Sequence, residues 1–465
     1  MKLNQLPISM RADVYKYTHF KMLPPKTTQI HSYIEPRGGI FNRVIPAGTQ
    51  YYLEEYFSRI VTKEDIDYTE KRYNTYRGTQ GQFDRKMWDR IVEVHGGKLP
   101  LEIRAIPEGT PIATSMPLIT VINTDPECAA LTSFIETLLL KIWYTTTVAT
   151  KSHNIKKIMK KFLDETSDNP MHLLFMLHDF GDRGGSSEET SALGGMSHLI
   201  NFRGTDTPQA LELAYEYYGE ENACMGFVDA MEHSVVTSWG KMGEFDSYDN
   251  ALEQFKDAGI ISIVIDSYNY KEAAAYLASK EKFLKDNNLK CVLRPDSGDP
   301  LLVSLDCLQI LEKHVKPVSN SKGYKYFENY GVLYGDGIPD GNAIRKILKV
   351  ITDEGFAADT MVFGMGGGLI QNCTRDDLGF AMKCSAMTAD GKHVMVYKQP
   401  LGMPSKNSKK GFLDVTTNVK GEFEYVENHM PGEISGSCME TIFKDGEITK
   451  RYTLQEIRDR ADSGL

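Results

Sequence analysis

Between about residues 170 and 370 one pattern recurs: a short apolar run ends in a polar or glycine cluster, and helix-forming sequence follows. LLFML runs into HDFGDRGG at 173–185, MGFV into DAMEH at 225–233, IISIVI into DSY at 260–268 and CVL into RPDSG at 291–298. GVLY before GDG at 331–337 and MVF before GMGGG at 361–368 complete the set. Continuous apolar runs mark strands buried on both faces, as parallel strands covered by helices are. A spacing of roughly 30–50 residues suits β-α units that close into a barrel, whose reactive groups lie at the C-terminal ends of the strands. The fold class is therefore α/β, and the polar clusters are where chemistry is expected.

The chain's 465 residues, 41% hydrophobic and 25% charged, exceed the ~250–300 residues that one core holds. Strand-like runs at 28–34 and 101–106 precede the barrel pattern, and alternating runs at 393–397 and 422–426 and a helix begun by Thr453 follow it. From 128 to 143, Leu131, Phe134, Ile135, Leu138, Leu139 and Ile142 recur at helical spacing and predict one core helix. The expected division is a barrel over 166–385 and a second, mixed α+β domain built from both chain ends, 1–165 with 386–465. A net charge of −10, from 63 acidic and 53 basic residues, argues against a nucleic-acid partner, which needs a basic face. No run approaches the ~18–20 apolar residues of a membrane span, and MKLNQLPISM has no signal core, so a cytoplasmic protein without a membrane partner is expected. Seven scattered cysteines, an odd number with no CxxC pair, read as reduced thiols.

Each polar cluster admits a plain reading and a functional one. Gly364, Gly366, Gly367 and Gly368 make either a tight turn or a cradle whose bare backbone N–H groups meet a phosphate. They match neither the GxGxxG nor the GxxxxGK[ST] spacing. Asp266, Asp296 and Asp336, each just after an apolar run, are turn and cap residues or a set for ribose hydroxyls and Mg²⁺. His233 is a structural histidine or a base and nucleophile. Arg183, Arg294 and Arg375 are solvated charges or phosphate ligands. Phe180 packs a core or stacks on a planar ring.

Taken together, HDFGDRGGSSEET (178–190), NFRGTDT (201–207), EHS (232–234), DSY, RPDSG, GDG, FGMGGGL (363–369) and TRD (374–376) resemble the nicotinamide phosphoribosyltransferase family. VYKYTHFKMLPP (14–25), PEG (107–109), NTDPEC (123–128), NSKGYK (320–325) and SKKG (408–411) extend the likeness along nearly the whole chain. The resemblance implies a type II phosphoribosyltransferase: an irregular α/β barrel beside a mixed domain, with active sites shared across a homodimer. It implies that Phe180 stacks on nicotinamide, Tyr15 of the other subunit covers the opposite ring face, Asp206 accepts from the carboxamide, and Arg183 and Arg294 line the pocket. Asp296 would hold ribose hydroxyls. Gly335, Asp336, Gly366, Gly367, Arg375 and Lys383 would lie around the ribose and nucleotide phosphate. Arg37, Lys398 and Lys406 would bind pyrophosphate or ATP phosphates, and Asp266 would orient His233.

The implied reaction joins nicotinamide to phosphoribosyl pyrophosphate, with ATP as co-substrate through a phosphohistidine at His233. Mg²⁺ is expected as cofactor, carried by pyrophosphate, with Asp266 and Asp296 as candidate contacts. Asp182, Phe227 and Ala381 depart from animal members, which carry an aromatic, a small residue and a serine there. Nicotinate phosphoribosyltransferase is the nearest rival, and Asp206 discriminates against it because a fixed carboxylate repels an anionic substrate. A non-catalytic protein on the same fold is the other alternative, and the retained Phe180, Asp206, His233, Arg294 and Asp296 speak against it.

Overall fold

The computed structural model describes residues 3–78, 81–224, 227–402, 407–430 and 434–465. The chain forms two compact units. One comprises Met1–Thr150, Tyr217–Gly219 and Cys373–Gly464; the other comprises Lys151–Glu216, Glu220–Asn372 and Leu465. The division falls inside the helix Ile142–Thr166.

The second unit carries seven parallel strands, in the order Gly204–Thr205, Leu177–Asp179, Met361–Met365, Tyr330–Tyr334, Lys290–Arg294, Ile260–Val264 and Asp229–Ala230. The two end strands are consecutive in the chain, and among the described residues no ladder joins them. The result is a barrel-like α/β sheet with one unpaired seam. Two apolar runs fold differently from expectation. Pro170 opens a 3₁₀ helix over Pro170–Phe175, so the first strand begins only at Leu177. In MGFV, Met225 and Gly226 lie outside the described residues, and pairing is found at Asp229–Ala230.

Three of the polar clusters are followed, within three residues, by a residue that caps the next helix. Asn269, Asp299 and Asp340 accept backbone N–H groups at the starts of Tyr270–Ala278, Pro300–His314 and Gly341–Asp353. Such caps satisfy donors that a helix start leaves unpaired, typically contributing ~1 kcal/mol. The last of these helices buries Ile344, Ile347, Leu348 and Ile351, one apolar stripe at helical period.

The first unit is built on an antiparallel sheet ordered Lys392–Met395, Ala381–Ala389, Thr27–Glu35, Ile119–Asn123, Leu101–Ala105, Glu440–Lys444 and Glu447–Ile448. Both chain ends therefore share one sheet. The single helix expected over 128–143 is broken into Leu131–Phe134, Glu136–Leu139 and the start of Ile142–Thr166. Three-residue hydrogen bonds, Lys141 N–H to Leu138 O at 3.1 Å and Trp143 N–H to Leu140 O at 3.0 Å, tighten the chain there. The apolar stripe is buried all the same. Thr453 caps the C-terminal helix Leu454–Asp462 in a capping box with Glu456.

Candidate active site

The rim of the barrel-like sheet surrounds a cavity of about 1040 Å³. Phe180, Arg183, Asp206, His233, Asp266, Arg294, Asp296, Gly335, Asp336, Gly366 and Gly367 all line it, although they come from seven stretches of sequence. Each ends or follows a strand, so parallel pairing alone gathers their starting points at one end of the sheet.

Two charged clusters organise the cavity. In one, the Asp266 carboxylate accepts from His233 Nε2 at 2.9 Å, Ser297 Oγ at 2.5 Å and the Asp296 N–H at 3.0 Å. Burial pushes its pKa up, but the three hydrogen bonds outweigh that and leave it below the ordinary aspartate value. A carboxylate partner requires the proton on Nε2, which leaves Nδ1 of His233 as the lone-pair nitrogen. In the other cluster, the Arg294 fork meets Asp296 through Nε at 3.1 Å and Nη2 at 2.8 Å. The same guanidinium stands 5.6 Å from the Phe180 ring centre. Asp206 opens to the cavity but is backed by protein. The resulting desolvation raises its pKa, Arg294 and Arg183 partly offset that, and Asp179 adds to it.

Glycine is required here by close approach. A Cβ on Gly364 would lie 2.2 Å from two ring carbons of Phe180, and one on Gly368 2.3 Å from Ile338 O. Gly366 and Gly367 instead leave their backbone open to the cavity. Below Phe180, Asp206 and Arg294 a second cavity of about 310 Å³ runs down the interior past Val292 and Leu333 to Lys290 and His172, and Phe227 also lines it.

The remaining expected residues belong to the first unit. Tyr15 is 62% exposed and Arg375 and Lys398 are exposed. Arg37 Nε donates to Gly379 O at 2.9 Å. Lys383 lies 3.6 Å from the buried Glu35 carboxylate, and burial lowers its pKa. Glu35 also pairs with Lys409, which sequence reasoning did not single out. Lys406 lies outside the described residues. Two supports in the second unit were also missed, Ser297 on Asp266 and Asp179 beside Phe180 and Asp206. Both sit inside quoted motifs, but their partners are distant in sequence.

No group of three or more His, Cys, Asp or Glu suited to a metal ion occurs among the described residues. Asp266 and Asp296 already hold protein donors, so they fit Mg²⁺ only as it arrives on a phosphate ligand.

Residues 175–429 match the nicotinate phosphoribosyltransferase (NAPRTase) family, and residues 7–103 match the nicotinamide phosphoribosyltransferase N-terminal domain. A nicotinamide phosphoribosyltransferase of Xanthomonas campestris pv. campestris is 40% identical, over 98% of each chain. One from Acinetobacter baylyi is 28% identical over 96% of this chain and 95% of its own. A nicotinate-nucleotide pyrophosphorylase from Pyrococcus furiosus shares the fold, with a TM-score of 0.60 at 16% identity, over 100% of this chain and 96% of that one. With a full-length relative at this identity and a family match over more than half its residues, the chain belongs to the nicotinamide phosphoribosyltransferase family.

Proposed function

We propose that this protein transfers the phosphoribosyl group of phosphoribosyl pyrophosphate to nicotinamide, giving nicotinamide mononucleotide and pyrophosphate. The observation that carries the reading is the convergence of Phe180, Asp206, Arg294, Asp296 and the open Gly366–Gly367 backbone on one rim cavity. Phe180 stacks on the pyridine ring, and Tyr15 of a partner subunit covers the other face. Asp206 accepts a hydrogen bond from the carboxamide N–H₂. Arg183 lines the ring pocket. Asp296, turning from Arg294, takes the ribose hydroxyls. Gly335, Asp336, Gly366 and Gly367, which line the cavity, surround ribose and phosphate.

In the reaction the C1–O bond to pyrophosphate breaks and the C1–N bond to the ring nitrogen forms. That nitrogen is neutral and carries no proton, so no base is required. Holding it in line with C1 is the main service. Cations aimed at the leaving oxygens stabilise charge as it develops, and Mg²⁺ arriving with pyrophosphate would add Lewis-acid stabilisation of the same charge. His233 is free for a second role: Nδ1 attacks the γ-phosphorus of ATP, releasing ADP, and water later discharges the phosphohistidine. The Asp266 hydrogen bond supports this by fixing the tautomer. We further propose that the protein is a homodimer and, in keeping with its seven free cysteines, cytoplasmic.

Asp206 provides the test. Hydrogen bonds to charged groups contribute ~1.5–3 kcal/mol, and a like charge penalises nicotinate. Asp206→Ser is expected to move the nicotinamide-to-nicotinate ratio of kcat/KM toward nicotinate by at least about tenfold, or ~1.4 kcal/mol. Equal losses on both substrates would make Asp206 structural.

A further inference from the structure

Asp179 ends the Leu177–Asp179 strand, is 0% exposed, and has no part in the reaction above. Its Oδ1 accepts the Gly181 N–H at 2.8 Å, and its Oδ2 accepts the hydroxyls of Thr205 at 2.9 Å and Thr207 at 2.8 Å. Its main-chain oxygen takes the Asp206 N–H at 2.9 Å. The residue after Phe180 and the residues on both sides of Asp206 are thus tied to one side chain. Two glycines make the room, because a Cβ on Gly181 or on Gly195 would come within 2.9 Å of a carboxylate oxygen. Burying a carboxyl is costly, and among the described residues this one has no ion pair, so its hydroxyl and amide donors are what hold it there. A buried carboxyl adds little that an apolar side chain would not do better for packing, but it converges three donors from two strand ends.

We propose that Asp179 is a positioning residue that sets the spacing between the Phe180 ring and the Asp206 carboxylate, and thereby the preference for a pyridine carboxamide over a pyridine carboxylate. The inference rests on the reading of Phe180 and Asp206 as the base-binding pair. Asp179→Asn keeps the shape but replaces an acceptor oxygen with an N–H₂, so one strand end loses its acceptor. Thr207→Val removes a single bond without touching the carboxyl group.

Steady-state kinetics with nicotinamide and nicotinate as alternative substrates test this. In Asp179→Asn, KM for nicotinamide is expected to rise about tenfold, with KM for phosphoribosyl pyrophosphate and kcat within about twofold of the parent. The nicotinamide-to-nicotinate ratio of kcat/KM should fall at least about fivefold, and Thr207→Val should change it in the same direction by less. Because the effect runs through Asp206, Asp179→Asn in an Asp206→Ser background should cause little further loss of the ratio. An unchanged ratio, equal losses on both co-substrates, or a full additional loss in the double variant overturns the proposal. Should Asp179→Asn fail to fold, Thr205→Val and Thr207→Val are judged by the same criteria. If Asp206→Ser alone leaves the ratio unchanged, the base-site reading falls; if it shifts the ratio and the Asp179 and threonine variants do not, only the positioning role falls.

Discussion

His233 and Asp266 divide their exposure unequally: the imidazole side chain is 46% exposed and the carboxylate that holds it 4%. The proposed attack on ATP phosphate would need that access, and the carboxylate is held in place by the donors of Ser297 and the Asp296 N–H. His233→Ala is expected to abolish ATP hydrolysis and ATP stimulation while leaving basal mononucleotide synthesis, checked by assaying both activities on one preparation. Undiminished ATPase would refute the phosphohistidine assignment. That Phe180, Asp206, His233, Asp266, Arg294 and Asp296 would gather at the rim was legible in the sequence, because each stands beside a strand signal or in a motif. Asp179 and Ser297 were not, since what they do is defined by partners such as Thr205, Thr207 and Asp266, 26 to 31 positions away. Local sequence offers no signal for such pairing beyond an acidic or hydroxyl residue in a turn.

The strand Met361–Met365 does two jobs at the scale of an element. It pairs with Leu177–Asp179 on one side and Tyr330–Tyr334 on the other, and its Gly364 lies against the Cδ2–Cε2 edge of the Phe180 ring. Gly364→Ala should leave the ladder intact but push the ring out of position, because 2.2 Å is far inside carbon–carbon contact. The expected result is a fall of at least about tenfold in kcat/KM for nicotinamide, larger than any loss measured on phosphoribosyl pyrophosphate. Comparing the two substrates, with a melting curve to show the variant folds, checks this. Four of the six strand signals, those in the runs near 260, 291, 331 and 361, matched observed strands closely, because a continuous apolar run between turn clusters has few other uses. The helix read over 128–143 was broken instead, because its apolar stripe specifies which side is buried and not how tightly each turn is wound.

For the whole molecule, the expected homodimer has a direct test. Tyr15 and Arg37 are carried by the sheet-rich unit and Asp296 by the barrel-like one. If a site takes its cover from a partner, inactive Tyr15→Ala and Asp296→Ala chains mixed under conditions of subunit exchange should recover up to about a quarter of parent activity through hybrid sites. Exchange without recovery would defeat the shared-site arrangement. The first unit's sheet has a consequence for synthesis. Its earliest strands, Thr27–Glu35, Leu101–Ala105 and Ile119–Asn123, pair among themselves, but their outer neighbours Ala381–Ala389 and Glu440–Lys444 come much later in the chain. At ribosomal rates of about 5–20 residues per second, the early three-stranded sheet waits on the order of ten seconds or more with both edges bare. Bare edges invite pairing with other chains, so the nascent polypeptide is most open to aggregation while the enzyme's own catalytic unit is being made.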